Sequence, residues 1–310
     1  MSVSQENTLK KSLALGYGLL GHRKNGLPAG YFPHWEFNVY GHDMEDRFQA
    51  MFNAGSGGEL DGKACAVHSS SMLSYNFLHW ISSETPLLLD LEGEPIEFTE
   101  VRFEIQMKTL PKSRYPANMD VLLISRDGRI WLMLESKFTE YLDGAKFDLS
   151  STYSEKAGSY YSGQGGVWLE FLDRFKEYGK QSDRYYGGIK QNVCHLIAIR
   201  NLVEGNPEAI KYLNDVNKLD FSPETTQIVF RNLVFCPDSE RFKNECERFE
   251  DYKSLWKEFA TQLQHSRLKM LNVGFMTYSD LWQSLAKQIP EDLRMFLYRR
   301  YMQFTGVPIK

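Results

Sequence analysis

Two carboxylates and an amine stand at the ends of two apolar runs in the stretch Met119-Asp-Val-Leu-Leu-Ile-Ser-Arg-Asp-Gly-Arg-Ile-Trp-Leu-Met-Leu-Glu-Ser-Lys137. Paired carboxylates can hold a divalent cation, and magnesium typically takes one or two of them and fills its other positions with water and phosphate oxygens. An ammonium beside such an ion can hold or deprotonate an attacking water and offset the charge that develops in a phosphorane-like transition state. Asp120, Glu135 and Lys137 are the candidates for these roles. They can share one site only if the intervening chain folds back on itself.

Asp127-Gly128, set between the two apolar runs, predicts that fold-back as a β-hairpin with a two-residue turn. With Arg126 opposite Arg129 the register follows: Ile124 faces Trp131, Leu122 faces Met133 and Asp120 faces Glu135. Alternation with period two then projects Asp120, Glu135 and Lys137 from the same face. Directly opposed carboxylates, roughly 5 Å apart at Cβ, oppose folding unless a cation compensates them. Leu-Leu-Ile before the turn and Ile-Trp-Leu-Met-Leu after it are near-continuous apolar runs, as in strands covered on both faces. The plain alternative is that the three charged residues are solvated strand ends.

Other elements must position this hairpin. Apolar residues recurring every three to five positions predict a helix over Ala64–Ser82, after a flexible run at Asn53–Glu59. Alternation predicts a strand over Thr99–Met107, then the basic loop Lys108–Pro116, with hairpin strands Met119–Ile124 and Arg129–Lys137. From Asp143 to Gly179 the chain is rich in Tyr, Ser and Gly and reads as an insertion outside the sheet. A helix over Ser182–Asn201, a strand over Gln227–Phe235, a helix over Arg241–Gln264, a strand over Lys269–Thr277 and helices after Tyr278 complete the pattern.

Pro116 ahead of Asp120, followed by Glu135-Ser-Lys137, resembles the signature of the PD-(D/E)XK nuclease superfamily, which has the restriction-endonuclease-like fold. The spacing from proline to aspartate departs from the short form of that motif. The resemblance implies an α/β fold with an αβββαβ core, a central mixed sheet flanked by helices, over residues of about 58–235. An N-terminal segment, the insertion at about 143–180 and a C-terminal extension at about 240–310 would elaborate one domain spanning 1–310. It also implies a metal-dependent nuclease that hydrolyses phosphodiester bonds, with DNA the expected substrate, Mg²⁺ the cofactor and Mn²⁺ its substitute. Asp120 and Glu135 would hold the ion with the main-chain carbonyl of Ser136, and Lys137 would serve the water. Glu59 is the candidate for a further carboxylate near the metal, with Glu104 behind it. Gln191, four residues before His195 on one helix face, is the candidate supporting residue, and His195 reads as a packed side chain beside it. A non-catalytic module that keeps the fold and binds nucleic acid or a protein is the alternative of a different class.

Thirty-six basic and forty acidic side chains leave a net charge of −4, so any polyanion must be met by local patches. Lys108, Lys112 and Arg114 form one such run; Arg174, Lys176, Lys180 and Arg184 form another. Tyr153, Tyr160, Tyr161, Tyr185 and Tyr186 are candidates for stacking on unpaired bases. No helix-turn-helix or zinc-finger pattern is present, and the four cysteines form no C-x-x-C pair, which points to a reducing compartment and a cytoplasmic protein. The most apolar stretch near the start, Ser12–Gly21, is broken by glycines and is followed by Arg23-Lys24, so neither a membrane span nor a secretion signal is expected.

Overall fold

The computed structural model describes residues 8–19, 30–55, 58–60, 62–111, 116–142, 151–155, 160, 165–180, 187–266 and 271–309. Helices α1 (Thr8–Gly16), α2 (Asp46–Ala54) and α3 (Ser70–Leu78) precede strands β1 (Leu87–Leu91), β2 (Glu94–Met107), β3 (Ala117–Ser125) and β4 (Ile130–Lys137). The short α4 (Thr152–Glu155), then α5 (Gly165–Lys180), α6 (Gly187–Val203) and α7 (Pro207–Asn217), lead to β5 (Gln227–Val234). Helix α8 (Lys243–His265), β6 (Asn272–Thr277), α9 (Tyr278–Leu285) and α10 (Glu291–Arg300) follow.

The six strands form one sheet in the order β1-β2-β3-β4-β5-β6. Strands β1 to β4 run antiparallel to their neighbours, whereas β4-β5 and β5-β6 are parallel and are joined by helical crossovers. This is the mixed sheet flanked by helices that the αβββαβ pattern implies: α3, β2, β3, β4, α6 and β5 follow in that order, with β1 and β6 added at the two edges. Strand β4 lies at the centre, and every residue from Trp131 to Lys137 is buried, which is why its sequence reads as a nearly unbroken apolar run.

Neighbouring side chains show which helices cover which face. Phe103 of β2 packs on Phe48 and Phe52 of α2 and Tyr75 of α3, while Gln106 of the same strand accepts from the hydroxyl of Tyr212 on α7. Phe230 of β5 meets Trp256 of α8 and the ring of His195 on α6. On the opposite side Ser136 of β4 is hydrogen-bonded to Tyr278 of α9 and to the carbonyl of Ser70 at the start of α3. Helices α2, α3 and α9 therefore cover one face, and α6, α7 and α8 the other.

Several elements differ from the sequence expectation for local reasons. The helix expected over Ala64–Ser82 is regular only over Ser70–Leu78. Asn38 donates its amide to the carbonyls of Ala64 and Ala66, holding Lys63–Cys65 as a separate tight turn, and Ser69 caps α3 by accepting from the N–H of Met72. Strand β2 begins at Glu94 rather than Thr99, because the polar segment with Pro95 pairs with β1 through a turn at Glu92-Gly93 whose φ angles, 61° and 93°, are both left-handed. Within the insertion, α5 buries Trp168, Phe171 and Leu172, and Phe171 packs edge-on against Phe259 of α8. Helix α7 follows a polar cap, Asn206, whose side chain accepts from the N–H of Ala209, with Pro207 in the first turn.

Candidate active site

The β3–β4 hairpin keeps the expected register but not the expected turn. Val121 pairs with Leu134, Leu122 with Met133, Leu123 with Leu132 and Ile124 with Trp131. Only Gly128 has a left-handed φ, 74°, whereas a two-residue hairpin turn of the expected kind needs two such residues. Asp127 instead closes a wider loop with its side chain, accepting from Ser125 Oγ at 2.7 Å and from the N–H of Arg129 at 3.0 Å. Ser125 Oγ in turn accepts from the N–H of Ile130 at 2.9 Å. Side-chain bonds replace the missing rung, and no residue is gained or lost in the register.

At the other end of the hairpin the ladder stops at Val121 and Leu134. The next N–H of β4 in need of a partner, that of Ser136, is taken by Oδ2 of Asp120 at 2.7 Å. This bond fixes the Asp120 carboxylate against β4, beside Glu135. Lys137 Nζ donates to Oε1 of Glu135 at 2.5 Å and to Oε1 of Gln191 on α6 at 2.7 Å. Glu135 and Lys137 are 0% and 4% exposed, which excludes the alternative that they are solvated strand ends, and Gln191 of α6 lies against the Lys137 amine. Gln191 itself is exposed and stands at the rim.

Charge in this enclosure is tightly balanced. Burial, then the neighbouring Glu135, pushes the Asp120 carboxyl well above its usual range, against the opposing pull of Lys137. Burial works to neutralise the Lys137 ammonium, but the carboxylates of Glu135, Glu140 and Asp120 outweigh it and hold the amine charged. Lys137 therefore stays a cation inside the enclosure. Burial keeps His195 neutral by lowering its pKa, in spite of Glu135. Its Nδ1 lies 3.2 Å from Oε2 of Glu135, and its Nε2 lies 2.9 Å from the carbonyl of Asn118. Among the described residues neither Nδ1 of His195 nor Oε2 of Glu135 has a hydrogen-bond partner, so the second oxygen of Glu135 is buried without one there.

Two further carboxylates approach from the neighbouring elements. Glu104 of β2 holds a left-handed φ of 52°, costly for a residue with a Cβ, in the part of the strand that pairs with β3 around Asp120. Burial, then Glu59 and Glu135, pushes its carboxyl up to about 7. Glu59 is buried, accepts from Ser71 Oγ at 2.7 Å and lies 3.4 Å from Lys63 Nζ. It thus faces Glu104 rather than joining Asp120 and Glu135 directly. Among the described residues no three His, Cys, Asp or Glu side chains stand as a group that could hold an ion together. What fits a hard divalent cation is the pair: two crowded carboxylates, one with an uncompensated buried oxygen, and the main-chain carbonyl of Ser136 between Glu135 and Lys137.

The sequence candidates for nucleic-acid contact fare unevenly. Lys108 is half-buried, with Nζ 4.8 Å from the ring centre of Tyr212. Tyr153 donates to Thr109 Oγ1, and Tyr160 is buried and donates to the carbonyl of Tyr153, so both are packed inward. Lys112, Arg114, Tyr161, Arg184, Tyr185 and Tyr186 lie outside the described residues, as do the side chains of Arg174, Lys176 and Lys180. Glu140 near Lys137, and Asn118 near His195 and Glu104, carry no spacing signal and were not foreseen.

Residues 8–195 match the family described as restriction endonuclease associating with ARP. The chain belongs to this family. The matched segment runs from α1 into α6 and includes Asp120, Glu135, Lys137 and Gln191, so the whole hairpin and its covering residue lie within it. Neither curated proteins nor solved structures yield a match. Membership suggests nuclease function, on a restriction-endonuclease-like fold. Among the described residues no helix is long and apolar enough to cross a membrane.

Proposed function

We propose that this chain is a metal-dependent nuclease of the PD-(D/E)XK type that hydrolyses phosphodiester bonds of nucleic acid, with DNA as the expected substrate. The observation that carries the reading is the convergence of Asp120, Glu135, Lys137 and Gln191 at one end of the central strands, with Lys137 bonded to both Glu135 and Gln191. Asp120 and Glu135 would hold Mg²⁺, or Mn²⁺ in its place, with the main-chain carbonyl of Ser136. A divalent ion there supplies Lewis acidity and lowers the pKa of bound water. Lys137 keeps its charge and has a third N–H beyond the two it uses, which can orient the attacking water or meet a phosphate oxygen. Gln191 at the rim fixes the ammonium's direction. The family description speaks of association with ARP, and an association of that kind is proposed for this chain also. The four free cysteines suit a reducing, cytoplasmic setting.

The test incubates purified protein with linear DNA, circular DNA and RNA, each with Mg²⁺, Mn²⁺ or EDTA. Metal-dependent cleavage that is lost in Asp120→Asn supports the reading. Binding without cleavage under every condition supports the non-catalytic module instead.

A further inference from the structure

The ring of His195 meets the second oxygen of Glu135 in a contact that hydrogen bonding does not explain. Helix α6 carries His195 one turn after Gln191, on the face turned to the hairpin, and its ring is buried. Nε2 lies 2.9 Å from the main-chain carbonyl of Asn118 on β3, and a carbonyl oxygen only accepts, so Nε2 carries the proton of the neutral ring. That leaves Nδ1 as a lone pair, 3.2 Å from Oε2 of Glu135, which is itself an acceptor. Among the described residues neither atom has a hydrogen-bond partner, although their separation is short enough for such a bond. Two buried acceptors thus face each other, an arrangement that is unfavourable until a cation lies between them.

The spacing suits an ion. Bonds from zinc to imidazole nitrogen and to carboxylate oxygen are both about 2.0–2.2 Å long, so donors 3.2 Å apart subtend about 100° at an ion between them, a value between the octahedral and tetrahedral angles. The nitrogen also carries information about which ion. Magnesium and calcium take oxygen ligands, whereas imidazole suits transition metals. Among the described residues these side chains form no closed cage, so water and phosphate oxygens complete the shell.

We propose that Nδ1 of His195 is a ligand of the ion held by Glu135, and that this nitrogen makes the site select a transition-metal ion such as Mn²⁺ or Co²⁺ over Mg²⁺. The Asn118 carbonyl is a positioning group for that ligand: by keeping the proton on Nε2 it holds Nδ1 ready for the ion and stops the ring from donating to Oε2 instead. The inference rests on the reading of Asp120 and Glu135 as a metal pair and goes beyond it in the identity of the ion.

Pulsed EPR of the full chain loaded with Mn²⁺ tests the proposal. The wild-type spectrum should show a nitrogen hyperfine coupling, and His195→Gln should lose it. The glutamine amide can still donate to the Asn118 carbonyl but places no lone-pair nitrogen beside Glu135, so the melting temperature in EDTA should change little. In calorimetric titrations Co²⁺ should bind His195→Gln about a hundredfold more weakly than wild type, while the affinity for Mg²⁺ should change by less than about threefold. The wild-type spectrum needs no variant and so reads the ligand even if His195→Gln fails to fold. Mn²⁺ bound without nitrogen coupling, a coupling that persists in His195→Gln, or equal losses of Co²⁺ and Mg²⁺ affinity overturns the proposal and leaves the carboxylate pair standing as an oxygen site. A wild type that binds no Mn²⁺ at all overturns both.

Discussion

Glu104→Gln isolates the electrostatic cost of building the candidate site. Glu104 has an ordinary carboxyl value of 4.5 and is pushed up to about 7, first by burial and then by Glu59 and Glu135, with Lys63 and Asn118 pulling the other way. A carboxyl raised in the folded state binds its proton more tightly there than in the unfolded chain. Its contribution to stability is therefore complete below pH 4.5 and is lost as pH rises through about 7. The interval corresponds to on the order of 3 kcal/mol between those limits. Glutamine is neutral at every pH and keeps an oxygen for the Asn118 amide, 3.5 Å away. The strained φ of 52° is common to both proteins and cancels. Urea denaturation in EDTA, from pH 4.5 to 8.5, should find wild type and Glu104→Gln of nearly equal stability at the acid end. At the alkaline end the variant should be more stable by about 2–3 kcal/mol. Some slope should persist in the variant, because Asp120 is raised by the same burial and by Glu135. Parallel stability curves, or a variant less stable than wild type at pH 8.5, would refute the placement of Glu104 within this charge cluster.

Other variants probe the chemistry and the scaffold. Lys137→Ala should lower single-turnover cleavage by about a hundredfold or more while leaving DNA affinity measured in Ca²⁺ little changed; cleavage near the wild-type rate would remove Lys137 from the mechanism. The same variant should also lose roughly 3 kcal/mol in chemical denaturation, since it leaves the buried Glu135 carboxylate without its cation. Saturating Mg²⁺ or Mn²⁺ should raise the melting temperature of the wild type, by about 2.7 kcal/mol of added stability at a hundred times the dissociation constant, and Asp120→Asn should blunt the effect. Gly128→Val should lower stability by at least about 1 kcal/mol, because valine is strained at a φ of 74°, and an unchanged thermal melt would mean that the turn is not as described.

What the sequence makes legible is what local rules determine. The hairpin register follows from the distance between two apolar runs, and it survives even though the turn is of another type, because Ser125 and Asp127 supply side-chain bonds where main-chain pairing was expected. The order of helices and strands in the core is legible for the same reason: each has its own periodicity. Long-range contacts set the rest. Nothing near Ala64 shows that Asn38 will hold its carbonyl and delay the helix to Ser70. No spacing rule places a non-glycine residue at a left-handed φ within a strand, so the weight of Glu104 in the site is visible only in three dimensions. Lys108 shows the limit of reading charge runs as surfaces, since its ammonium packs on Tyr212. Gln191 was legible because helical spacing puts it on the face shared with His195, and both side chains reach the hairpin.

The fold and the candidate chemistry make opposite demands on the same strand. Strand β4 is central because it is apolar, with helices on both faces, yet its last turn of side chains carries Glu135 and Lys137. A buried ion pair of this kind contributes little net stability against an apolar pair of the same size, since the desolvation of both groups offsets their attraction. Its placement is therefore poor material for a scaffold and good material for a site, where fixed charges shielded from water act most strongly on an incoming charge. The pair also cannot be simplified piece by piece. Removing Lys137 strands Glu135, removing Glu135 strands Lys137, and His195 on α6 offers a neutral ring rather than a substitute charge. Oε2 of Glu135, which has no hydrogen-bond partner among the described residues, and the raised Asp120 mark where a cation would lower the free energy of the folded chain most. That makes metal-dependent stabilisation the property by which a site at β3 and β4 can be told from a merely buried salt bridge. A buried salt bridge gains nothing from added Mg²⁺, whereas a cation site gains in proportion to the logarithm of the ion concentration.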